Sequence, residues 1–319
     1  MNINSKVLVT GGFGFIGRHL VQHLIEKNHK VVIVDRPKKH KVIPSNWKNR
    51  TEVIWSNIEN IENYQHVIKE VNTIYHLAGV SGAEQSILDP FSSLDSLCRD
   101  TLKILEACWT YNPHVNFIYP SSRLVYGCVE KLPVKENANV DPTSIYGLHK
   151  LMVENYIKLY SRLYNLNSVI LRITNPYGPT LNNNSLYGII NWFIHQSLKG
   201  ETIKIFGDGS QIRDYIYIDD LVDLLLKCKD IRSENIIYNV GSGNGISISE
   251  MVKKIISYTG TGSYEFEAWG EIQEFVETGD FIADITDAKS QFNWAPVYTL
   301  DKGIKESVEK MKLNFSLNI

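Results

Sequence analysis

Apolar residues come in short runs separated by turn signals, and the runs alternate between two periods. Lys6-Val7-Leu8-Val9, Val31-Val32-Ile33-Val34-Asp35, Thr51-Glu52-Val53-Ile54-Trp55, Thr73-Ile74-Tyr75-His76, Asn116-Phe117-Ile118-Tyr119 and Ser168-Val169-Ile170-Leu171-Arg172-Ile173 are short and mostly β-branched or aromatic. Such runs read as buried strands. Between them, Arg18 to Ile25, Pro90 to Tyr111 and Tyr146 to Tyr164 carry apolar residues at helical spacing. The last of these places Leu148, Leu151, Met152, Tyr156, Leu159, Tyr160 and Leu163 along an amphipathic helix, and Asp141-Pro142-Thr143-Ser144 ahead of it offers a turn and a cap. Strands alternating with helices at this pace predict an α/β fold with a doubly wound parallel sheet.

From Asn175 onward the regularity weakens. Loops rich in Asn, Gly and Pro alternate with helices at 189–198, 219–227 and 248–258 and with short strands near Ile203, Ile216 and Ile236 to Val240. This pattern predicts a second lobe inserted into and following the first. The expected division is 1–174 for the larger lobe, with a returning segment at about 212–262, and 175–211 with 263–319 for the smaller one. A length of 319 residues and a hydrophobic content of 43% suffice for two cores.

Charge and composition narrow the partners. The net charge is −2, and no basic stripe suggests nucleic acid. Arg36-Pro37-Lys38-Lys39-His40-Lys41 is a local cluster that reads as a solvated loop or as a contact for adenine or a 2′-phosphate. No segment has the uninterrupted apolar length of a membrane span, and the N-terminus lacks the apolar core of a signal peptide, so a cytoplasmic protein is expected. The four cysteines form no CxxC pair and no metal-type spacing with histidine. Reduced thiols and no metal are expected.

The candidate chemistry begins at Thr10-Gly11-Gly12-Phe13-Gly14-Phe15-Ile16-Gly17, between the first strand and the first helix. Gly11, Gly14 and Gly17 suit a tight turn, close approach to a pyrophosphate and close packing of helix on strand. Asp35 ends the second strand about twenty residues beyond the glycines, where a carboxylate can accept both hydroxyls of a ribose. Asn57 stands at the carboxyl end of the third strand, as a possible partner of an adenine amino group or as a turn former. The fourth strand runs into Leu77-Ala78-Gly79, small enough for a cofactor to approach the backbone. Tyr146 and Lys150, four residues apart, share a helix face, where a cation would stabilise a phenolate acting as base. The fifth strand ends in Ser121-Ser122, whose hydroxyls could meet the same substrate oxygen.

TGGFGFIG, Asp35, HLAG, PSSRLVYG, YGLHK, Arg172-Ile173-Thr174-Asn175-Pro176-Tyr177-Gly178-Pro179 and FGDGSQIRDYIYIDD together resemble the extended short-chain dehydrogenase/reductase family, in its nucleotide-sugar epimerase/dehydratase branch. The matches run from residue 7 to about 225, with weaker ones as far as Asn293-Trp294-Ala295-Pro296. The resemblance implies a Rossmann-type sheet with a smaller α/β C-terminal substrate lobe. It implies Tyr146 as catalytic base, Lys150 as the group that lowers its pKa and holds the nicotinamide ribose, and Ser122 as partner of the reacting hydroxyl. Ser122 is preferred to Ser121 because it stands four residues before Tyr126. Gly11, Gly14 and Gly17, with backbone contacts from Phe15 and Ile16, would hold the pyrophosphate, Asp35 the adenosine ribose, and Asn57 and Ile58 the adenine. Leu77, Ala78 and Gly79 would line the cofactor, and Thr174 would lie near the nicotinamide. Ser81, Asn175 and Arg213 would bind a sugar nucleotide. A homodimer through the Pro90–Tyr111 and Tyr146–Tyr164 helices is also implied.

Departures from the family pattern narrow the reaction. Dehydratases of this branch carry Asp-Glu after the catalytic Ser or Thr, and related decarboxylases carry a Glu; here the residues are Arg123 and Leu124. Neither elimination has its usual proton-transfer group. Asn57 replaces a usual acid, Leu97-Cys98-Arg99-Asp100-Thr101 replaces Asn-Val-x-Gly-Thr, and Thr278-Gly279-Asp280 lacks an arginine that often pairs with the diphosphate. The expectation is a UDP-hexose or UDP-N-acetylhexosamine 4-epimerase with bound NAD. Asp35 disfavours a 2′-phosphate, while Arg36 leaves NADP open. The alternatives are an NAD(P)H-dependent keto-sugar reductase and a non-catalytic dinucleotide-binding protein.

Overall fold

The first buried run becomes strand β1 (Lys6–Thr10), and the glycine turn after it releases the chain into helix α1 (Phe15–Glu26) and back to β2 (Lys30–Asp35), parallel to β1. The structure, a computed structural model, describes residues 5–37, 42–80, 82–180, 187–229 and 236–316, with side chains to residue 313. β3 (Thr51–Trp55), α2 (Gln65–Glu70) and β4 (Thr73–His76) continue the alternation. They are followed by α3 (Ala83–Leu88), α4 (Pro90–Leu94), a π-helical stretch Asp95–Arg99 and α5 (Asp100–Tyr111). Then come β5 (Asn116–Ser122), α6 (Ile145–Tyr164) and β6 (Asn167–Ile173). The remaining elements are β7 (Asn175–Tyr177), α7 (Gly188–Leu198), β8 (Thr202–Phe206), β9 (Ile212–Tyr217), α8 (Ile218–Cys228), β10 (Ile237–Val240), β11 (Gly245–Ser247), α9 (Ile248–Thr259), β12 (Ser263–Glu267), α10 (Glu271–Val276), α11 (Thr286–Phe292) and α12 (Leu300–Ser316).

Among the described residues the central parallel sheet has the order β10-β6-β5-β4-β1-β2-β3, as the alternation of strands and helices predicts. The chain leaves β1 toward β2 on one side and resumes at β4 on the other, so the strand order reverses between β1 and β4. The carboxyl ends of the strands at such a reversal are where a doubly wound sheet binds ligands.

Two compact units divide the chain. The first comprises Met1–Val125, Ser144–Arg172 and Val222–Tyr238. Its core includes Leu8, Val32, Val34, Ile74, Ile104, Leu105, Phe117, Val153, Ile157 and Ile170, all but absent from the surface. Each fully buried aliphatic side chain contributes about 1.5–3 kcal/mol.

The second unit comprises Tyr126–Thr143, Ile173–Leu221 and Asn239–Ile319. The chain returns to the first unit over Val222–Tyr238, a shorter stretch than 212–262. The reason is strand pairing: β9 pairs parallel with β7 and antiparallel with β11, which holds 212–217 and 245–247 in the second unit. A bridge between Val134 and Ala283 draws Tyr126–Thr143 in as well. Asp214, fully buried, ties the same region together. Its Oδ1 accepts from Ser242 N (2.8 Å) and Oγ (2.7 Å), and its Oδ2 from Gly243 N (3.1 Å) and Ala283 N (3.2 Å). Four donors offset the cost of burying this carboxyl, which burial still pushes up to about 6.

Candidate active site

The glycine turn is shaped by close contact. Gly11 has φ +70°, and a Cβ there would lie 2.8 Å from Ala78 N, so both backbone conformation and space require glycine. A Cβ on Gly17 would overlap the Gly11 carbonyl, which allows α1 to sit directly on the turn. Gly14 is the N-cap and brings no side-chain hydrogen bond, and no acid occupies the first turn. The leading N–H groups at Phe15, Ile16 and Gly17 therefore meet no side-chain cap from Gly14, the arrangement that receives a phosphate at a helix N-terminus.

Asp35, at the end of β2, is nearly buried. Its Oδ2 accepts from Phe13 N (2.9 Å) and its Oδ1 from Arg36 N (2.8 Å). The carboxylate thus fixes the turn as well as standing beside it. Phe13 stacks on Trp55 at a centroid distance of 4.9 Å. Asn57 is exposed at the end of β3, whereas the Ile58 side chain packs into the core and its carbonyl accepts from Tyr64 Oη (2.5 Å). Any adenine contact from Ile58 would therefore be made by its backbone.

A directed chain of hydrogen bonds places Leu77, Ala78 and Gly79. Ala78 N donates to Thr10 Oγ1 (3.2 Å), which lies 2.8 Å from His76 Nδ1. At the other end Thr101 Oγ1 donates to the Leu97 carbonyl and accepts from His76 Nε2 (2.9 Å). Nε2 therefore carries a hydrogen, and in the neutral ring Nδ1 accepts from the Thr10 hydroxyl. Burial first, and the Lys150 charge second, hold His76 down to about 3. Leu77, Ala78 and Gly79 are fixed by this chain at the end of β4, with Ala78 against Gly11. Gly79 has φ +147°, and a Cβ there would lie 2.6 Å from Leu97 Cδ2. Ser81 lies outside the described residues.

Lys150 and the start of α6 lie against the end of β5. Ser144 caps α6 by accepting from Gly147 N (3.1 Å), and Tyr146 N donates to Ser86 Oγ (2.9 Å), which seats the first turn of that helix. Lys150, one turn on, is buried. Its Nζ donates to the Pro120 carbonyl (2.8 Å) and lies 4.5 Å from the Tyr119 ring centroid and 5.7 Å from that of Tyr146. Burial lowers Lys150 to about 7, opposed by Glu154 and Cys98. Successive β5 side chains point to opposite faces. Ser121 turns inward and donates to Glu154 Oε1 (2.6 Å), while Ser122 is half-buried and its Oγ accepts from Leu124 N (3.2 Å). The two serines thus have different surroundings, Ser121 bound to a buried acid and Ser122 to a backbone N–H at the strand end. Glu154 also holds Arg172 in a bidentate pair, Nη2 to Oε2 at 2.7 Å and Nε to Oε1 at 3.0 Å, with both side chains buried.

The other candidates lie in the second unit. Thr174 is buried and its Oγ1 has no hydrogen-bond partner among the described residues, an orphaned polar atom that a bound ligand could satisfy. Asn175 Nδ2 donates to the Asp214 carbonyl (2.8 Å). Arg213, nearly buried, donates through Nη1 to the carbonyls of Ile212 (3.0 Å) and Gly279 (2.6 Å) and through Nη2 to Glu277 Oε1.

Sequence reasoning missed several of these groups. His76 was visible within HLAG, but its partner Thr101 is distant in sequence. Glu154 repeats the Tyr146–Lys150 spacing by one more turn, a signal that could have found it. The acceptor of Arg213 carried no such signal.

With this geometry in place, residues 7–241 match the NAD-dependent epimerase/dehydratase family profile. A Methanocaldococcus jannaschii protein named provisionally as a UDP-glucose 4-epimerase is 34% identical over 97% of this chain and 99% of its own length. An Escherichia coli dTDP-4-dehydro-6-deoxyglucose reductase is 29% identical over 97% of this chain and 98% of its own. The UDP-glucose 4-epimerase of Thermotoga maritima, solved with UDP-glucose, superposes with a TM-score of 0.86 at 30% identity, covering 97% of this chain and 99% of that one.

Proposed function

Because the chain belongs to the NAD-dependent epimerase/dehydratase family, we propose that it is a nucleotide-sugar 4-epimerase acting on a UDP-hexose or its N-acetylated form. The observation that carries this reading is the pair after Ser122. Arg123 and Leu124 offer no carboxyl group where an elimination would need one, while Ser122, Tyr146 and Lys150 are all present.

The residues fit NAD. The uncapped start of α1 and the glycines would take the pyrophosphate, Asp35 the adenosine ribose, Asn57 and Ile58 the adenine, and Leu77–Gly79 and Thr174 the nicotinamide half. When bound, NAD supplies a reversible hydride acceptor at sugar C4. Tyr146 takes the C4 hydroxyl proton and returns it, Ser122 hydrogen-bonds the same oxygen, and the nearby Lys150 cation favours the phenolate. Asn175 and Arg213 bind the sugar nucleotide.

The test is to incubate the purified protein with UDP-galactose and UDP-N-acetylgalactosamine, adding no cofactor, and to separate the products by chromatography. The C4 epimer of at least one is expected. Protein carrying NAD that forms no epimer from any UDP-hexose would overturn the proposal. The similarity to the E. coli reductase favours the second reading, which turnover of a keto sugar at the expense of added NADPH would support.

A further inference from the structure

Arg213 and Glu277 form a nearly buried ion pair within the second unit, with the side chains 9% and 25% exposed. Glu277 is not a loose surface acid. The oxygen that accepts from Arg213 Nη2 also accepts from Thr278 N (3.0 Å) and Gly279 N (2.9 Å), so its own loop presents it to the guanidinium. The loop is fixed in turn by Asp280 Oδ1, which accepts from Ile212 N (2.7 Å), and by the Gly279 carbonyl, which accepts from Arg213 Nη1. One cation is thus held by a preorganised carboxylate, and an incoming anion must compete with that carboxylate for the same charge.

We propose that Glu277 is an affinity-setting residue that compensates Arg213 and weakens the grip of the site on a nucleoside diphosphate. The proposal rests on the reading of Arg213 as a diphosphate ligand. The nucleotide half of a sugar nucleotide is the same in the ground and transition states of chemistry at the sugar. Weakening its binding therefore raises KM and leaves kcat unchanged. Every substrate that carries the same nucleoside diphosphate is weakened by the same factor, so the site turns over at higher substrate concentrations while its choice among sugars is left to the sugar contacts.

The experiment is calorimetric titration of the holoenzyme with UDP and with uridine, for the wild type, Glu277→Gln and Arg213→Gln. The glutamine keeps an acceptor oxygen for Thr278 and Gly279 and removes only the charge. Glu277→Gln is expected to bind UDP at least tenfold tighter, about 1.4 kcal/mol, with uridine affinity unchanged and KM for the sugar nucleotide lowered at constant kcat. Arg213→Gln is expected to weaken UDP. Loss of UDP affinity in Arg213→Gln without a gain in Glu277→Gln would overturn the proposal alone. An Arg213→Gln variant that binds UDP as the wild type does would remove the underlying reading and the proposal with it. The wild type supplies a check independent of any variant's folding: UDP is expected to exceed uridine by less than tenfold, and a gap above a hundredfold would overturn the proposal.

Discussion

Ser121 and Ser122 are neighbours of identical chemistry, and β5 places them in different surroundings. Ser121 is one of the donors that satisfy the buried Glu154 carboxylate. Ser121→Ala is therefore expected to cost about 1–3 kcal/mol in denaturant unfolding, with KM and kcat close to wild type in what remains folded. Ser122→Ala is expected to do the reverse, lowering kcat by about 100-fold at unchanged stability. Lys150 makes a second prediction at this scale. Its value of about 7 in the folded chain lies below the unfolded 10.5. Between those values the unfolded chain holds a proton that the folded chain has released, so stability rises with pH across that window. Lys150→Met should therefore be inactive yet more stable than wild type by about 1–3 kcal/mol below pH 7, an advantage that shrinks toward pH 10. Thermal melts across that range would show it, and an advantage that grew with pH would contradict the assignment.

The α4–α5 run and α6 carry the prediction that belongs to whole elements. They pack together through Trp109 and Tyr164, stacked at 4.2 Å, and through Ser93 Oγ with His149 Nδ1 at 2.9 Å. Phe91 and Leu163 nevertheless remain 77% and 58% exposed, and Leu148 on α6 and Leu88 at the end of α3 are exposed as well. Apolar side chains left out on paired helices fit a self-complementary contact between two copies. The wild type is expected to run as a dimer in size-exclusion chromatography with light scattering, and Phe91→Asp with Leu163→Asp as a monomer that keeps its fold; a wild type that is monomeric at micromolar concentration would refute this contact. Periodicity made the strands and helices of the first unit legible, because strands buried on both faces and a capped helix such as α6 announce themselves locally. It read Pro90 to Tyr111 as one helix, whereas a π-helical stretch interrupts it at Asp95–Arg99, and a shift in local hydrogen bonding leaves no trace in an apolar repeat. The glycines, Asp35, Ser122, Tyr146 and Lys150 could be singled out as candidates because each stands at a marked position in a short motif. The His76–Thr101 and Arg213–Glu277 pairs were not, because each joins segments that only tertiary folding brings together.

At the scale of the molecule, the order of the segments matters as much as their contacts. The last segment of the first unit ends at Tyr238, within β10, whereas the second draws on segments as late as α12. Asp214 illustrates the difference, since its backbone donors at Ser242, Gly243 and Ala283 all follow it in the chain. Domains generally fold as units during synthesis, from the N-terminus onward. Ribosome-arrested chains that have just exposed Tyr238 are accordingly expected to protect the first unit from protease and to leave 173–221 open to cleavage; equal protection of both would contradict this order. The four-donor embrace of Asp214 thus sets an order on synthesis: it cannot close before Ala283, 69 residues further along the chain, has been made.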